Sequence, residues 1–177
     1  MKLHLKNAGL ILGSSAGLLS TLVMFICWKL GYEQIANYQF YEKFVPLVFI
    51  IFLVGGFQLR KNNDSFNFKQ ALQYSFSSYI LHALIVAVAT YFLYNVIDKN
   101  LTQHTLNIAV TRLQKSMQAF GATQKEIDEM TKNTIESAGD TGFKRIFYGF
   151  GTGLVIDFIK SLILAAIVKK STPANPV

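Results

Sequence analysis

Residues 71–97 read ALQYSFSSYILHALIVAVATYFLYNVI, a run without aspartate, glutamate, lysine or arginine. A helix rises about 1.5 Å per residue, and about 20 residues suffice to cross a hydrocarbon core of about 30 Å. Residues 71–97 therefore read as a membrane span with length to spare. Working outward, three more stretches are nearly free of charge: 8–28, 44–59 and 146–168. The first and last are long enough to span. Residues 44–59 cover only about 24 Å as a helix. That span is therefore expected to recruit residues 38–43, with Tyr38, Phe40 and Tyr41 at the aromatic membrane boundary.

The composition agrees, since 51% of the 177 residues are hydrophobic and 15% are charged, less charge than a soluble domain of this size carries. The expected fold class is all-α, an integral membrane four-helix bundle forming one domain over 1–177. Its spans lie at about 8–30, 42–60, 69–97 and 144–168. Lys2 and Lys6 precede the first apolar run as in a secretory signal. That run is too long for a signal core and ends in Cys27, Trp28 and Lys29 rather than small residues, so it reads as a retained helix. With a single cysteine, no intramolecular disulfide exists.

A net charge of +7 raises the question of nucleic acid, but topology accounts for it better. Lys2, Lys6, Arg60, Lys61, Lys69, Lys169 and Lys170 fall in three segments that four spans place on one face, against the single acid Asp64. The positive-inside rule makes that face cytoplasmic, with both termini on it. The opposite loops hold Glu33, Glu42 and Lys43, and then five basic and six acidic residues between 98 and 140. Lys144 and Arg145, at the outer end of the fourth span, run against the rule and suit contact with headgroups.

Between spans three and four, residues 101–138 are expected to form an extracytoplasmic helical hairpin. Leu106, Val110, Leu113, Met117 and Phe120 fall on one helical face. Gly121 interrupts the pattern, and Thr123-Gln124-Lys125-Glu126 is a capping-box sequence opening a second helix lined by Ile127, Met130 and Ile135. Asn67 followed by Gln70 has the same capping logic and should start span three near Phe68. Residues 139–142 are expected to turn into span four, and 171–177 to be a disordered tail.

Three ionisable residues lie where hydrocarbon is expected: His82, Asp157 and Lys160. Each costs about 2.5 to 3.5 kcal/mol at a helix centre on insertion scales, which makes them functional candidates by default. His82 lies 13 residues from Lys69 and Asp157 lies 12 from Lys169, so both come out at similar depth. Gly149, Gly153, Asp157 and Ser161 form a small-and-polar stripe on span four, matched on span three by Ser75, Ser78, Tyr79 and His82. A buried polar network of His82, Asp157, Lys160, Ser161 and Ser78 follows, with two readings. It is structural, Lys160 neutralising Asp157 from three residues away, or it is a proton or ion pathway. Gly9, Gly13 and Gly17 form a packing stripe on span one, as Gly149 and Gly153 do on span four.

Gly13-Ser14-Ser15-Ala16-Gly17 matches the letters of a hydrolase nucleophile motif. That chemistry needs a strained strand-to-helix turn, and here the match lies inside an apolar helix. No metal-ligand spacing, phosphate loop or dinucleotide fingerprint occurs, so no enzyme activity, metal or cofactor is expected. The expected partners are the lipid bilayer and either a second copy of the chain or another membrane protein, not nucleic acid.

Three segments taken together resemble a known family: Phe66-Asn67-Phe68-Lys69-Gln70-Ala71-Leu72, Gly121-Ala122-Thr123-Gln124-Lys125-Glu126-Ile127, and the ending Ile167-Val168-Lys169-Lys170. The pattern resembles the bacterial membrane proteins grouped as domain of unknown function 4199, and it covers nearly the whole chain. The resemblance implies a four-helix protein of the bacterial inner membrane. It brings no catalytic or binding residues with it. The expected role is structural, accessory or interactive; the alternative is a small transporter or proton/ion pathway using the His82 and Asp157 pair.

Overall fold

The computed structural model describes residues 5–44, 46–63, 65–138 and 143–170, and every described element is helical. The elements are α1 (Leu5–Leu30), α2 (Tyr32–Phe44), α3 (Leu47–Asn62), α4 (Phe68–Phe92), α5 (Leu101–Ala119), α6 (Gln124–Ala138) and α7 (Phe143–Val168). Residues 139–142 and 171–177, expected to be a turn and a tail, lie outside the described residues.

Three segments are long and apolar enough to cross a membrane: Asn7–Leu30, Phe68–Ile97 and Ile146–Val168. Their outward faces carry Leu18, Leu22, Leu30, Val155, Ile156 and Ile163, all exposed. A soluble monomer does not display apolar surface on this scale, whereas hydrocarbon is the natural solvent for it.

The capping pattern at the start of α4 is present in both directions. Gln70 N–H donates to Asn67 Oδ1 at 3.0 Å and Asn67 N–H donates to Gln70 Oε1 at 3.2 Å. At its other end α4 widens into a π-helical turn, Leu93–Ile97, which closes on Asp98 N–H donating to Leu93 O at 2.9 Å. Trp28 Nε1–H of α1 donates to Asp98 Oδ2 at 2.9 Å, joining the ends of two parallel helices.

α4 is the centre of the bundle. On one side α1 runs parallel to it, with Gly9 against Ser77, Gly13 against Ser78 and Gly17 against His82 and Ile85. A Cβ at Gly13 would lie 2.5 Å from Ser78 O, and one at Gly9 would lie 2.6 Å from Tyr74 O. Only hydrogen fits there. Lipid tails are as apolar as leucine, so helices in a bilayer associate through such close van der Waals contact and through interhelical hydrogen bonds. On the other side α7 runs antiparallel to α4. Ser75 Oγ donates to Ser161 O at 3.1 Å, and the rings of Phe76 and Phe158 meet edge to face at 5.3 Å.

The return path from α1 to α4 differs from the expected span at 42–60. The chain does not run as one helix from residue 38 to residue 60. It breaks at Pro46, whose backbone nitrogen has no hydrogen to donate, and residues 38–43 belong to α2. α2 packs on the upper part of α1, with Ile35 fully buried beside Met24, Leu93, Tyr94 and Leu101. Tyr38 donates to Ser20 O at 3.2 Å. α3 then fills only the end of the bundle that holds both Leu59 and Val168. Tyr74 OH donates to Phe52 O at 2.9 Å, and Gly56 lets Val168 approach closely. With 16 residues, α3 is about 24 Å long.

Beyond the opposite end, α5 and α6 pack on each other. Gly121, at φ +78°, ends α5 in the left-handed conformation that favours glycine, with Ala122 N–H donating to Met117 O at 3.0 Å. At the start of α6 both the N–H and the hydroxyl of Thr123 donate to Glu126 Oε2 at 2.8 Å, and these bonds hold the carboxyl below the usual carboxylate range. The apolar face expected from sequence is only partly covered. Ile127 is buried, but Met130 and Ile135 are exposed and Phe120 is 91% exposed. α5 is tied to α2 by a stacked pair, Tyr32 and His104, with centroids 4.0 Å apart, and by Arg112 facing Glu33 at 3.8 Å.

These contacts set two glycines apart. Gly13→Val is expected to force α1 from α4 and to lower stability by about 1–3 kcal/mol, the cost of overpacking a filled contact. Gly149→Ala, where no atom lies within 4 Å of the added Cβ, should be neutral or stabilising by up to about 1 kcal/mol through helix propensity. Denaturation midpoints of the two variants in one detergent check the contrast.

Candidate functional site

α3 starts only at Leu47, so the bundle is not filled evenly along its length. Beyond the first turn of α3, α4 and α7 leave an open, groove-like cavity of about 480 Å³ between them. Tyr79, His82, Ala83, Val86, Ala87 and Thr90 of α4 form one wall, at the spacing of a single helical face. Ile146, Gly149, Phe150, Gly153, Asp157 and Lys160 of α7 form the other, and Val48 of α3 lies at the base. Gly149 and Gly153 meet no atom within 4 Å, so the second glycine stripe faces this space instead of a neighbouring helix. The first stripe is closed and the second is open.

His82, Asp157 and Lys160 line the same cavity but are satisfied separately. Lys160 Nζ donates to Asp157 Oδ1 at 3.0 Å within α7. His82 Nε2 is 3.0 Å from Ser20 Oγ on α1, the tautomer deciding which group donates. Among the described residues no hydrogen bond joins His82 to Asp157. The His82 ring also stands edge-on to Phe52, with centroids 6.3 Å apart. Ser161 Oγ donates to Asp157 O at 2.7 Å, and Ser78 Oγ donates to Tyr74 O at 2.9 Å, so both hydroxyls bond back into their own helices. The Ser78 backbone sits under Gly13. The five polar residues therefore fall into smaller units rather than one chain of hydrogen bonds.

One group in this region was not among the expected site residues. Tyr79 is 2% exposed, yet its hydroxyl has no hydrogen-bond partner among the described residues. A buried hydroxyl left unpaired costs about 1–3 kcal/mol, so it calls for an explanation. The ring lies under Lys160 Nζ at 5.8 Å and packs edge to face on Phe52 at 4.8 Å. The ring thus lines one end of the cavity, while the hydroxyl is shut off from it.

A family model described as protein of unknown function (DUF4199) matches residues 9–170. The chain belongs to that family. The match covers the cavity and all but the first two residues of the three long apolar segments, and it carries no role for any residue. No curated protein and no solved structure matches the chain.

The geometry gives no support to hydrolase chemistry at Ser15. The residue lies within the unbroken helix α1, is exposed, and donates its hydroxyl back to Ile11 O at 2.9 Å. Among the described residues no group of three His, Cys, Asp or Glu side chains is placed to hold a metal ion.

The Ser20 contact can be tested against Ser15. Ser20→Ala leaves a buried ring nitrogen of His82 unpaired and is expected to lower stability by about 1–3 kcal/mol. Ser15→Ala should change it by less than about 0.5 kcal/mol. Paired denaturation curves in detergent decide.

Proposed function

We propose that this chain is a multi-pass protein of the bacterial inner membrane with an accessory or interaction role, exerted by holding a membrane-embedded partner rather than by catalysis. The observation that carries the reading is the cavity between α4 and α7, with its unfilled glycine face. A glycine stripe that serves only to pack a monomer is filled, as that of α1 is. One left open toward a cavity is available to something else.

The reading includes a fourth crossing. α2 and α3 together form a broken return pass, with α3 taking one part of the depth and α2 the other. With it, Arg60, Lys61, Lys69, Lys169 and Lys170 stand at one end, where Lys170 N–H donates to Phe66 O at 2.8 Å. The positive-inside rule puts that end, and both termini, in the cytoplasm and the α5–α6 pair outside. Labelling with a membrane-impermeant maleimide tests this in a background in which Cys27→Ser removes the native thiol. Gln118→Cys should react in intact cells and Asn63→Cys only after lysis; the reverse pattern overturns the orientation.

A second reading, a proton or ion pathway, draws on His82, Asp157 and Lys160 lining one space. Against it stand the ion pair that neutralises Asp157 and the separate anchoring of His82 on Ser20. Proteoliposomes with an imposed pH gradient are expected to lose it no faster than protein-free vesicles. A flux that Asp157→Asn abolishes would establish the pathway instead.

A further inference from the structure

Leu59, Phe66, Leu164 and Val168 are buried in one apolar cluster. That cluster gathers three chain ends: the last turn of α3, the segment that opens α4 and the end of α7. The backbone bond from Lys170 N–H to Phe66 O, at 2.8 Å, fixes α7 to the start of α4, and Gly56 lets Val168 approach α3. Each gathered end carries cations. Arg60 and Lys61 follow Leu59, Lys69 lies three residues after Phe66, and Lys169 follows Val168. Lys61, Lys69 and Lys169 are exposed, and the Lys169 ammonium stands 5.9 Å from the ring centroid of Phe68, the neighbour of Lys69.

Holding like charges on one rim is unfavourable unless something answers them. Arg60, Lys61, Lys69 and Lys169 form no ion pair among the described residues; the pairs present, Arg112 with Glu33, Lys132 with Glu136 and Lys160 with Asp157, lie elsewhere. The C-terminal ends of α3 and α7 favour the cations they carry, but Lys69 stands in the first turn of α4, where the helix dipole disfavours one. Asp64, outside the described residues, is the one acid of these segments, and by charge alone it leaves them net positive. Within a turn of the cations, Phe57 of α3, Phe68 of α4 and Ile167 of α7 are exposed. Cations bordering exposed apolar side chains, at the ends of membrane-length helices, fit an anionic head that carries its own hydrocarbon.

The four charges fall into two pairs: Arg60 and Lys61 at the end of α3, and Lys69 and Lys169 where α4 meets α7. We infer that this rim binds one lipid whose headgroup carries two phosphates, of the diphosphatidylglycerol class, with one phosphate at each pair and acyl chains against the apolar surface beside them. Arg60 offers a planar fork to phosphate oxygens and the lysines act as point charges. A lipid with one phosphate answers one pair and leaves the other facing itself. The inference goes beyond the interaction reading above and does not rest on the cavity, so either can fail alone.

The test uses the full chain in a nonionic detergent, titrated with tetraoleoyl diphosphatidylglycerol and followed by native mass spectrometry. One bound lipid per chain is expected at saturation. Dioleoyl phosphatidylglycerol should bind about 25-fold more weakly, since it forgoes two cations worth about fivefold each. Lys61→Gln and Lys169→Gln should each weaken binding of the two-phosphate lipid about fivefold, and together about 25-fold, because they serve different phosphates. Lys115→Gln, on α5, should leave it unchanged. All three positions are exposed, and melting midpoints without added lipid check that the variants fold.

Equal binding of the one-phosphate and two-phosphate lipids overturns the inference. So does an equal loss on Lys115→Gln, which would mark diffuse charge attraction instead of a site. If pyrophosphate at matched ionic strength raises the melting midpoint as far as the lipid does, the ligand is a soluble phosphate compound and the lipid assignment falls.

Discussion

At Gly13 the backbone of α1 comes so close to α4 that an added methyl carbon would lie 2.5 Å from the carbonyl oxygen of Ser78. This contact and its repeats at Gly9 and Gly17 organise the rest of the bundle. Because α1 and α4 run parallel, the chain must travel back between them, and α2 and α3 are that return. The return is broken at Pro46, so α3 reaches only part of the way along the space beside α4 and α7. The cavity is what remains. A tight interface on one side of α4 and an unfilled one on the other thus follow from a single parallel pairing.

The all-helical character and three membrane-length segments were legible in the sequence, because an uncharged run of more than twenty residues has few other uses. The caps at Asn67 and Thr123 were legible for a similar reason: their hydrogen bonds are local. The return path was not. A 16-residue apolar stretch reads as a short span to be lengthened, and lengthening it across Val45 and Pro46 ignored that proline withholds a backbone donor. Nor did spacing distinguish the two glycine stripes. Both recur every fourth residue, and only the tertiary arrangement fills one and leaves the other bare.

At the candidate site, His82, Asp157 and Lys160 line one cavity, and helical rise counted from charged residues puts His82 and Asp157 at similar levels of their helices. Their partners were beyond that measure. Ser20 reaches His82 across the helix interface, and Ser161 and Ser78 turn back on their own backbones. The unpaired hydroxyl of Tyr79 is a property of the fold, as nothing in a sequence shows which phenol has lost its water without gaining an acceptor.

The parallel pairing of α1 and α4 also has a meaning in time. Gly9 and Ser77 are separated by about 70 positions, and a ribosome adds about 5–20 residues per second. The glycine face of α1 is therefore made several seconds before the surface that fits it exists. Through that interval it is open to the α1 of another chain made nearby. Intramolecular assembly must win a race that dilution favours and high expression does not, so crowded synthesis in one patch of membrane would be the condition under which this fold is most easily exchanged between copies.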